Sequence, residues 1–243
     1  HDDTIDMSQL RRGQPTLNSM FDSGTVILIG DYLFAQSAIL AAETMNPRVV
    51  AVFAASLADI CDGQLREVFT AHRLDQTRDD YERRIYGKTA SLFAGAAEMG
   101  AIIGGAPEED IQNLRSFGGE VGMAFQIVDD VLDLRSTTDA IGKPANLDLR
   151  QGTVTLPTML LLSRLDGNPA AREIERVVNG VDVSDADYAA VASMIEESGA
   201  IDESVASART FIERAIDRLN MIEDAAVADQ LASFANLALE RTS

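Results

Sequence analysis

The sequence is poor in several residues on which particular classes of protein depend. Its 243 residues include one cysteine, two histidines and no tryptophan, and 20 basic residues face 39 acidic ones, for a formal net charge of −19. Nucleic-acid binding and docking on an anionic membrane both need a basic surface, so this balance excludes them as main functions. Cys61 alone forms no intrachain disulfide, is compatible with a cytoplasmic location, and is expected to be a small buried side chain.

Long uncharged apolar runs are absent as well. No run of about 18 such residues occurs, so we expect no membrane span, and no leader with a charged start and an apolar stretch is recognisable. Apolar residues still make up 46% of the chain, which is enough for a substantial core. Because the chain begins at His1 and no linker divides it, we expect one domain over residues 1–243 that is incomplete at its N-terminus.

Helix signals recur along the whole chain, whereas alternating strand patterns are scarce. Proline occupies a first-turn position at residues 47, 107 and 169, and Ser184 precedes two aspartates, as is typical of helix starts. The patterns predict an all-α fold, in which the apolar run at 26–29 is a buried helical segment. The predicted helices lie at 1–9, 20–44, 47–70, 76–103, 107–136, 153–165, 169–179, 184–198, 203–221 and 225–241.

Two acidic clusters share the pattern DDxxD, at residues 2–6 and 129–133. On a helix the three aspartates of this pattern fall within an arc of about 100°, so their carboxylates share one face. Mg²⁺ binds to one or two such carboxylates and completes its shell with waters and substrate phosphates. A solvated acidic face is the alternative, but the second cluster has apolar neighbours, and acids embedded among them need a cationic partner. The clusters therefore predict a site for Mg²⁺ and a diphosphate.

Basic and polar residues that suit phosphate recognition accompany the two clusters. Arg11 and Arg12 follow the first cluster closely. Paired arginines are the preferred bidentate phosphate ligands, although a surface ion-pair patch is the alternative. The further candidate donors to the same phosphates are Lys88, Thr89, Gln126 and Lys143.

Taken together, these motifs resemble those of the trans-prenyl diphosphate synthases, or polyprenyl synthetases. The segments that carry the resemblance are HDDTIDMSQLRRGQPT at 1–16, GDY at 30–32, KTASLF at 88–93, GMAFQIVDDVLD at 122–133, GKP at 142–144 and DLRQGTVTLP at 148–157. The resemblance covers the chain to about residue 160, and a compatible helical tail follows. It implies an isoprenoid synthase domain, a single helical bundle around a deep central cavity with the two aspartate motifs facing each other across its mouth.

The resemblance also implies a role for each candidate residue. The implied ligands of Mg²⁺, about three ions per site, are Asp2, Asp3, Asp6, Asp129, Asp130 and Asp133. The implied catalytic set is Asp2, Asp3, Asp6, Lys88, Asp129 and Asp130. Arg11 would hold the allylic diphosphate and Arg12 the isopentenyl diphosphate. The other implied contacts of the allylic diphosphate are Lys88, Thr89, Gln126 and Lys143.

The implied reaction is a Mg²⁺-dependent trans condensation of an allylic diphosphate with isopentenyl diphosphate, by ionisation, addition and proton loss, to a longer polyprenyl diphosphate. We expect a cytoplasmic homodimer without stable membrane insertion. Three departures bear on this hypothesis: the family's N-terminal Gly-Lys-Arg segment would lie before His1, Thr153 replaces a lysine, and the family's G-E-x-x-Q reads GQLRE at 63–67. Two alternatives stay open. One is a non-catalytic subunit of a heteromeric synthase. The other is a class I terpene cyclase, although the intact second cluster argues against it.

Overall fold

The chain is almost entirely helical over the residues that the structure, a computed structural model, describes: 1–5, 8–11, 13–135, 146–165 and 168–240, without the side chain of Asp2. The α-helices in these ranges are α1 (Asp2–Ile5), α2 (Ser23–Glu43), α3 (Pro47–Thr70), α4 (Arg78–Ile85), α5 (Ser91–Ile103), α6 (Glu108–Arg135), α7 (Leu147–Arg150), α8 (Leu156–Arg164), α9 (Pro169–Val178), α10 (Asp185–Glu197), α11 (Ala200–Arg218) and α12 (Ala225–Glu240). A π-helical turn, Tyr86–Ala90, joins α4 to α5. Short 3₁₀ turns lie at Leu17–Ser19 and Leu219–Met221.

Several predicted helices differ in their bounds from those observed, and two of these differences have a clear local reason. The helix predicted at 1–9 ends at Ile5 in the structure, and β1 (Leu10–Arg11) then pairs with β2 (Gln14–Pro15) in a small antiparallel hairpin. Gly13, with φ +73°, supplies the left-handed residue that this tight turn needs. The helix predicted at 153–165 begins only at Leu156, because Pro157 fits the first turn but not the interior of a helix.

Side-chain caps fix the helix starts that the sequence signals. Thr77 accepts a hydrogen bond from the backbone N–H of Asp80, and Asp80 accepts one from the N–H of Thr77, which begins α4. Ser184 and Asp187 form the same reciprocal pair at the start of α10. Each such cap is worth about 1 kcal/mol, so these starts are set locally.

Helix α6 lies at the centre of the fold and carries the second acidic cluster in its last two turns. It packs along α5 and α11, with α12 and the π turn against its flanks. Small residues allow the close contact, since a Cβ added at Gly122 would lie 2.5 Å from Cα of Ala90. Val121, Ile127 and Val128 are almost fully buried on this helix, so its acidic end is rigidly held by the core.

Helix α2 is far less buried than predicted. Leu28 and Leu33 are 69% and 60% exposed, and only Val26 and Ala41 of this helix are buried. The helical prediction for residues 26–29 is confirmed, but the predicted burial is wrong. Among the described residues, α2 is also the one helix that is long and apolar enough to cross a membrane, by length and composition alone. Cys61, also predicted buried, is exposed.

Candidate active site

The second acidic cluster is built into α6, where its three carboxylates have different surroundings. Asp130 is buried, with 4% of its surface exposed, whereas the neighbouring Asp129 is exposed. Both oxygens of Asp130 accept hydrogen bonds: Oδ2 from the hydroxyl of Tyr81 at 2.8 Å and Oδ1 from Nε2 of Gln126 at 2.8 Å. Asp130 is therefore an oriented carboxylate inside the protein, while Asp129 lies towards solvent.

A continuous hydrogen-bond chain connects this cluster to the KT motif, Lys88 and Thr89. The hydroxyl of Thr89 donates to Oε1 of Gln126 at 2.6 Å, and the amide of Gln126 donates in turn to Asp130. This arrangement fixes which end of the Gln126 amide points towards each neighbour. Thr89, Gln126 and Asp130, three of the predicted site residues, are thus brought together by the fold.

The π turn sets the direction of Lys88 and Thr89. Such a turn inserts an extra residue into the helix and changes the face on which the following side chains lie. It is packed tightly against α3, since a Cβ on Gly63 would lie 2.1 Å from the backbone nitrogen of Lys88. Only glycine at position 63 permits this approach, so α3 holds the π turn in place.

Lys88 forms an ion pair that sequence reasoning did not predict. Its Nζ lies 2.5 Å from Oε1 of Glu67, and both side chains are largely shielded from solvent. Gln64 also donates to Oε1 of Glu67, at 3.3 Å. The family-like G-E-x-x-Q pattern has its glutamate and glutamine exchanged here, and this exchange places a carboxylate directly on the lysine predicted to bind diphosphate.

Asp133 joins the acidic cluster to α7. Its two carboxylate oxygens accept hydrogen bonds from the backbone N–H groups of Leu147 and Asp148, each at 3.0 Å. Anions are stabilised at this end of a helix by the unpaired N–H groups. Asp133 therefore holds the first turn of α7, and it brings Asp148 to the cluster.

Burial raises the pKa of two carboxyl groups in this cluster. It raises the pKa of Asp130 to about 7, against the hydrogen bonds from Gln126 and Tyr81 and the nearby guanidinium of Arg84, which lower it. Burial also raises the pKa of Asp148 well above its usual value, and the charges of Asp133 and Asp130 add to the effect. Crowded, buried carboxylates of this kind mark a place where a cation would be stabilised.

The first acidic cluster is only partly described. Nη1 of Arg11 lies 2.7 Å from Oδ1 of Asp3, so a predicted phosphate ligand is paired with a predicted metal ligand. The ring of His1 contacts the carbonyl oxygen of Ile27 at 3.1 Å and thereby ties α1 to α2. The side chain of Asp2 and all of Asp6, Arg12 and Lys143 lie outside the described residues, so their predicted roles remain predictions.

The donor set suits Mg²⁺, although the described ranges contain no group of three or more histidine, cysteine, aspartate or glutamate side chains arranged to hold a metal ion alone. Mg²⁺ takes few protein ligands, prefers oxygen, and relies on waters and phosphates for the rest of its shell. The exposed Asp129 beside the buried Asp130 and the half-buried Asp148 offers oxygen donors in a region of concentrated negative charge. The residues present therefore fit Mg²⁺ bound together with a diphosphate.

Four residues of the site were missed by sequence reasoning: Tyr81, Arg84, Glu67 and Asp148. Asp148 and Glu67 do lie in quoted motifs, but nothing local shows that they approach Lys88. Thr153, in place of the family lysine, is buried, and its backbone N–H donates to the carbonyl oxygen of Asp148. A separate groove of about 560 Å³ between α3, α4, α6 and α11 contains none of the predicted site residues among its described lining.

Comparisons with known proteins show which family the sequence resembles. A family model described as polyprenyl synthetase matches residues 1–195. Heptaprenyl diphosphate synthase component 2 of Geobacillus stearothermophilus is 40% identical over 220 residues, which are 90% of this chain and 67% of the relative. The all-trans-nonaprenyl-diphosphate synthase (geranyl-diphosphate specific) of Rhodobacter capsulatus is 34% identical, over 99% of this chain and 73% of its own.

Solved structures extend the likeness to the whole fold. A decaprenyl diphosphate synthase from Rhodobacter capsulatus superposes with a TM-score of 0.92 and 36% identity, covering 100% of this chain and 74% of that one. A polyprenyl synthase from Caulobacter crescentus, solved with calcium and isoprenyl diphosphate, gives a TM-score of 0.94 and 32% identity, again over 100% and 74%. The predicted all-α fold class is confirmed. The chain spans 67% and 66% of the lengths of two heptaprenyl diphosphate synthase component 2 relatives.

Proposed function

Because the chain belongs to the polyprenyl synthetase family, we propose that it condenses an allylic diphosphate with isopentenyl diphosphate, trans, at the site around Asp130. The family assignment confirms the predicted enzyme class, prenyltransferase, and the elongation of trans-prenyl chains. The observation that carries the proposed site is the hydrogen-bond chain from Thr89 through Gln126 to Asp130, because it joins two motifs 37 residues apart in one polar surface.

The metal and its ligands belong to this proposal. Asp129 is the best-placed ligand of Mg²⁺ in the second cluster because it is exposed, and the predicted Asp2 and Asp6 would supply ligands from the first. Asp130 and Asp133 are engaged by protein donors and would act mainly by holding the cluster in shape. When bound, Mg²⁺ neutralises negative charge on the departing diphosphate, which makes ionisation of the allylic C–O bond easier.

Basic and polar side chains of the site bind and orient the two substrates. Lys88 and Arg11 bring positive charge to the allylic diphosphate, each after exchange of a present carboxylate partner, Glu67 or Asp3, for phosphate. Thr89 presents a hydroxyl held in place by Gln126, suited to the allylic end of the substrate. Fixed charges of this kind stabilise charge that develops in the transition state without reorganisation. Arg12 would bind isopentenyl diphosphate, as the resemblance implies.

The alternatives are weaker. A terpene cyclase does not account for relatives that are named polyprenyl diphosphate synthases. A non-catalytic subunit is also not favoured, although Thr153 removes one cation and two relatives are named as component 2 of heptaprenyl diphosphate synthase.

The exposed apolar side of α2 supports assembly with a second copy of the chain, and family membership supports a soluble cytoplasmic enzyme. Analytical ultracentrifugation of the purified protein would test the dimer.

The function is tested by incubating the protein in its full natural length with Mg²⁺, labelled isopentenyl diphosphate and farnesyl diphosphate. We expect chain-extended products, and chromatography would report their length. Asp129→Ala should lower turnover by orders of magnitude while the circular dichroism spectrum stays unchanged. Asp110→Ala, on the first turn of the same helix, is the matched control and should keep full activity. Absence of any extended product from the wild type would refute the proposal.

A further inference from the structure

Tyr81 lies on the core side of the second acidic cluster and is the largest fully buried side chain of α4. None of its surface is exposed, and its hydroxyl donates to Oδ2 of Asp130 at 2.8 Å. Since a buried hydroxyl needs a partner, this hydrogen bond is part of the packed core and not an incidental contact. The residue lies seven positions before Lys88 on the same helical stretch, so it links the core to the KT motif.

Two hydrogen-bonded cross-links join this stretch to α6. Tyr81 reaches Asp130, and Thr89, eight residues later, reaches Gln126, four residues before Asp130. Gln126 connects the two cross-links, because its amide nitrogen donates to Asp130 at 2.8 Å. The side chains of Thr89, Gln126 and Asp130 are therefore held in fixed positions relative to one another. The hydroxyl of Tyr81 is the buried end of this hydrogen-bond chain.

The ring of Tyr81 is itself held from behind by Arg84. The Arg84 guanidinium carbon lies 5.5 Å from the centre of the Tyr81 ring, and only 2% of this arginine is exposed. Its two terminal nitrogens donate to the carbonyl oxygen of Val154 at 2.7 Å and to Oε1 of Gln76 at 2.9 Å. A buried, doubly bonded guanidinium has little freedom, so the ring beside it has a fixed position.

We propose that Tyr81 is a positioning residue, whose hydroxyl fixes the Asp130 carboxylate and, through Gln126, the hydroxyl of Thr89. This inference rests on the proposed function, because it assigns Tyr81 to the same Mg²⁺ and diphosphate site. Because Tyr81 is fully buried, it would contact neither substrate nor metal. It acts by keeping Asp130 in one orientation beside the exposed Asp129, so that both are ready when Mg²⁺ and diphosphate bind.

The test compares Tyr81→Phe with the wild type in two measurements. The first is the Mg²⁺ concentration that gives half of the maximal thermal stabilisation in the presence of inorganic diphosphate. The second is steady-state kinetics. Without the hydroxyl, we expect the Mg²⁺ midpoint to rise and kcat to fall, each by about tenfold, because one buried charge-assisted hydrogen bond is lost. KM for isopentenyl diphosphate should stay within about twofold, since its diphosphate is assigned to other residues.

Two further variants separate positioning from simple structural support. Tyr188→Phe removes a hydroxyl from another buried tyrosine, which packs against Arg150 in a different part of the core, and should leave midpoint and kcat unchanged. Replacing Tyr81 by 4-aminophenylalanine restores a donor at the same place and should recover most of both values. Recovery of stability without recovery of the Mg²⁺ midpoint would overturn the inference, as would a Tyr81→Phe protein with unchanged midpoint and kcat. A wild type that is stabilised by Mg²⁺ and diphosphate but makes no product would refute the proposed function, and the midpoint shift would still decide the role of Tyr81.

Discussion

Replacing Asp130 by asparagine should stabilise the metal-free protein at neutral and alkaline pH while it impairs turnover. Burial raises the pKa of Asp130 from 3.8 to about 7, so the folded protein binds this proton more tightly than the unfolded chain does. Such a group favours folding at acidic pH. Its contribution is lost as the pH rises from about 4 through about 7, where the buried carboxyl must ionise.

The size of the effect follows from the same values. A rise from 3.8 to about 7 corresponds to at most about 4 kcal/mol of unfolding free energy. Relaxation and water entry reduce the cost of a buried charge, so we expect about 2 kcal/mol. Asparagine keeps the hydrogen-bond count, because its amide oxygen accepts from Gln126 and its NH₂ donates to the hydroxyl oxygen of Tyr81.

Urea unfolding in the presence of EDTA at pH 5, 6, 7 and 8 measures this difference directly. At pH 8 the Asp130→Asn protein should be more stable than the wild type. The difference should shrink steadily towards pH 5 and vanish only near about pH 4, where the carboxyl of the unfolded chain is protonated as well. Asp110→Asn, on the first turn of α6, is the matched control for loss of a carboxylate from the same helix. A destabilisation of Asp130→Asn that is equal at pH 5 and pH 8 would refute the reasoning.

Three further changes probe the contacts around this site. Glu67→Gln frees Lys88 from its ion pair and should lower KM for the allylic diphosphate by about threefold in steady-state assays; an unchanged KM would show that the pair does not compete with substrate. Gly63→Ala places a Cβ 2.1 Å from the Lys88 backbone nitrogen and should cost about 2 kcal/mol or more in urea unfolding, whereas a neutral effect would contradict the close packing. Asp133→Ala removes the acceptor of the N–H groups at 147–148, so their amide exchange should accelerate at least tenfold; unchanged protection would mean that α7 is held by other contacts.

Local signals in the sequence were sufficient for much of this protein. The capping pair at Ser184 starts its helix as predicted, because a cap involves residues only three positions apart. The second DDxxD pattern lies on a single helix for the same reason, with its carboxylates on α6 as expected. The helix predicted at 1–9 is described only as α1, which ends at Ile5, and Asp6 of the first pattern lies outside the described residues.

By itself, then, the sequence determined the helical elements, the acidic character and the motif order that indicates prenyl transfer. Only the tertiary structure decided how deeply each carboxylate of the second cluster lies: Asp130 is buried against Tyr81, Asp133 accepts from backbone N–H groups of α7, and Asp129 is exposed. It also decided that Glu67 meets Lys88 and that Tyr81 meets Asp130, across 21 and 49 residues of chain. Such pairs depend on how helices pack against one another, and helix packing depends on the side chains of both partners, so no local pattern reveals them.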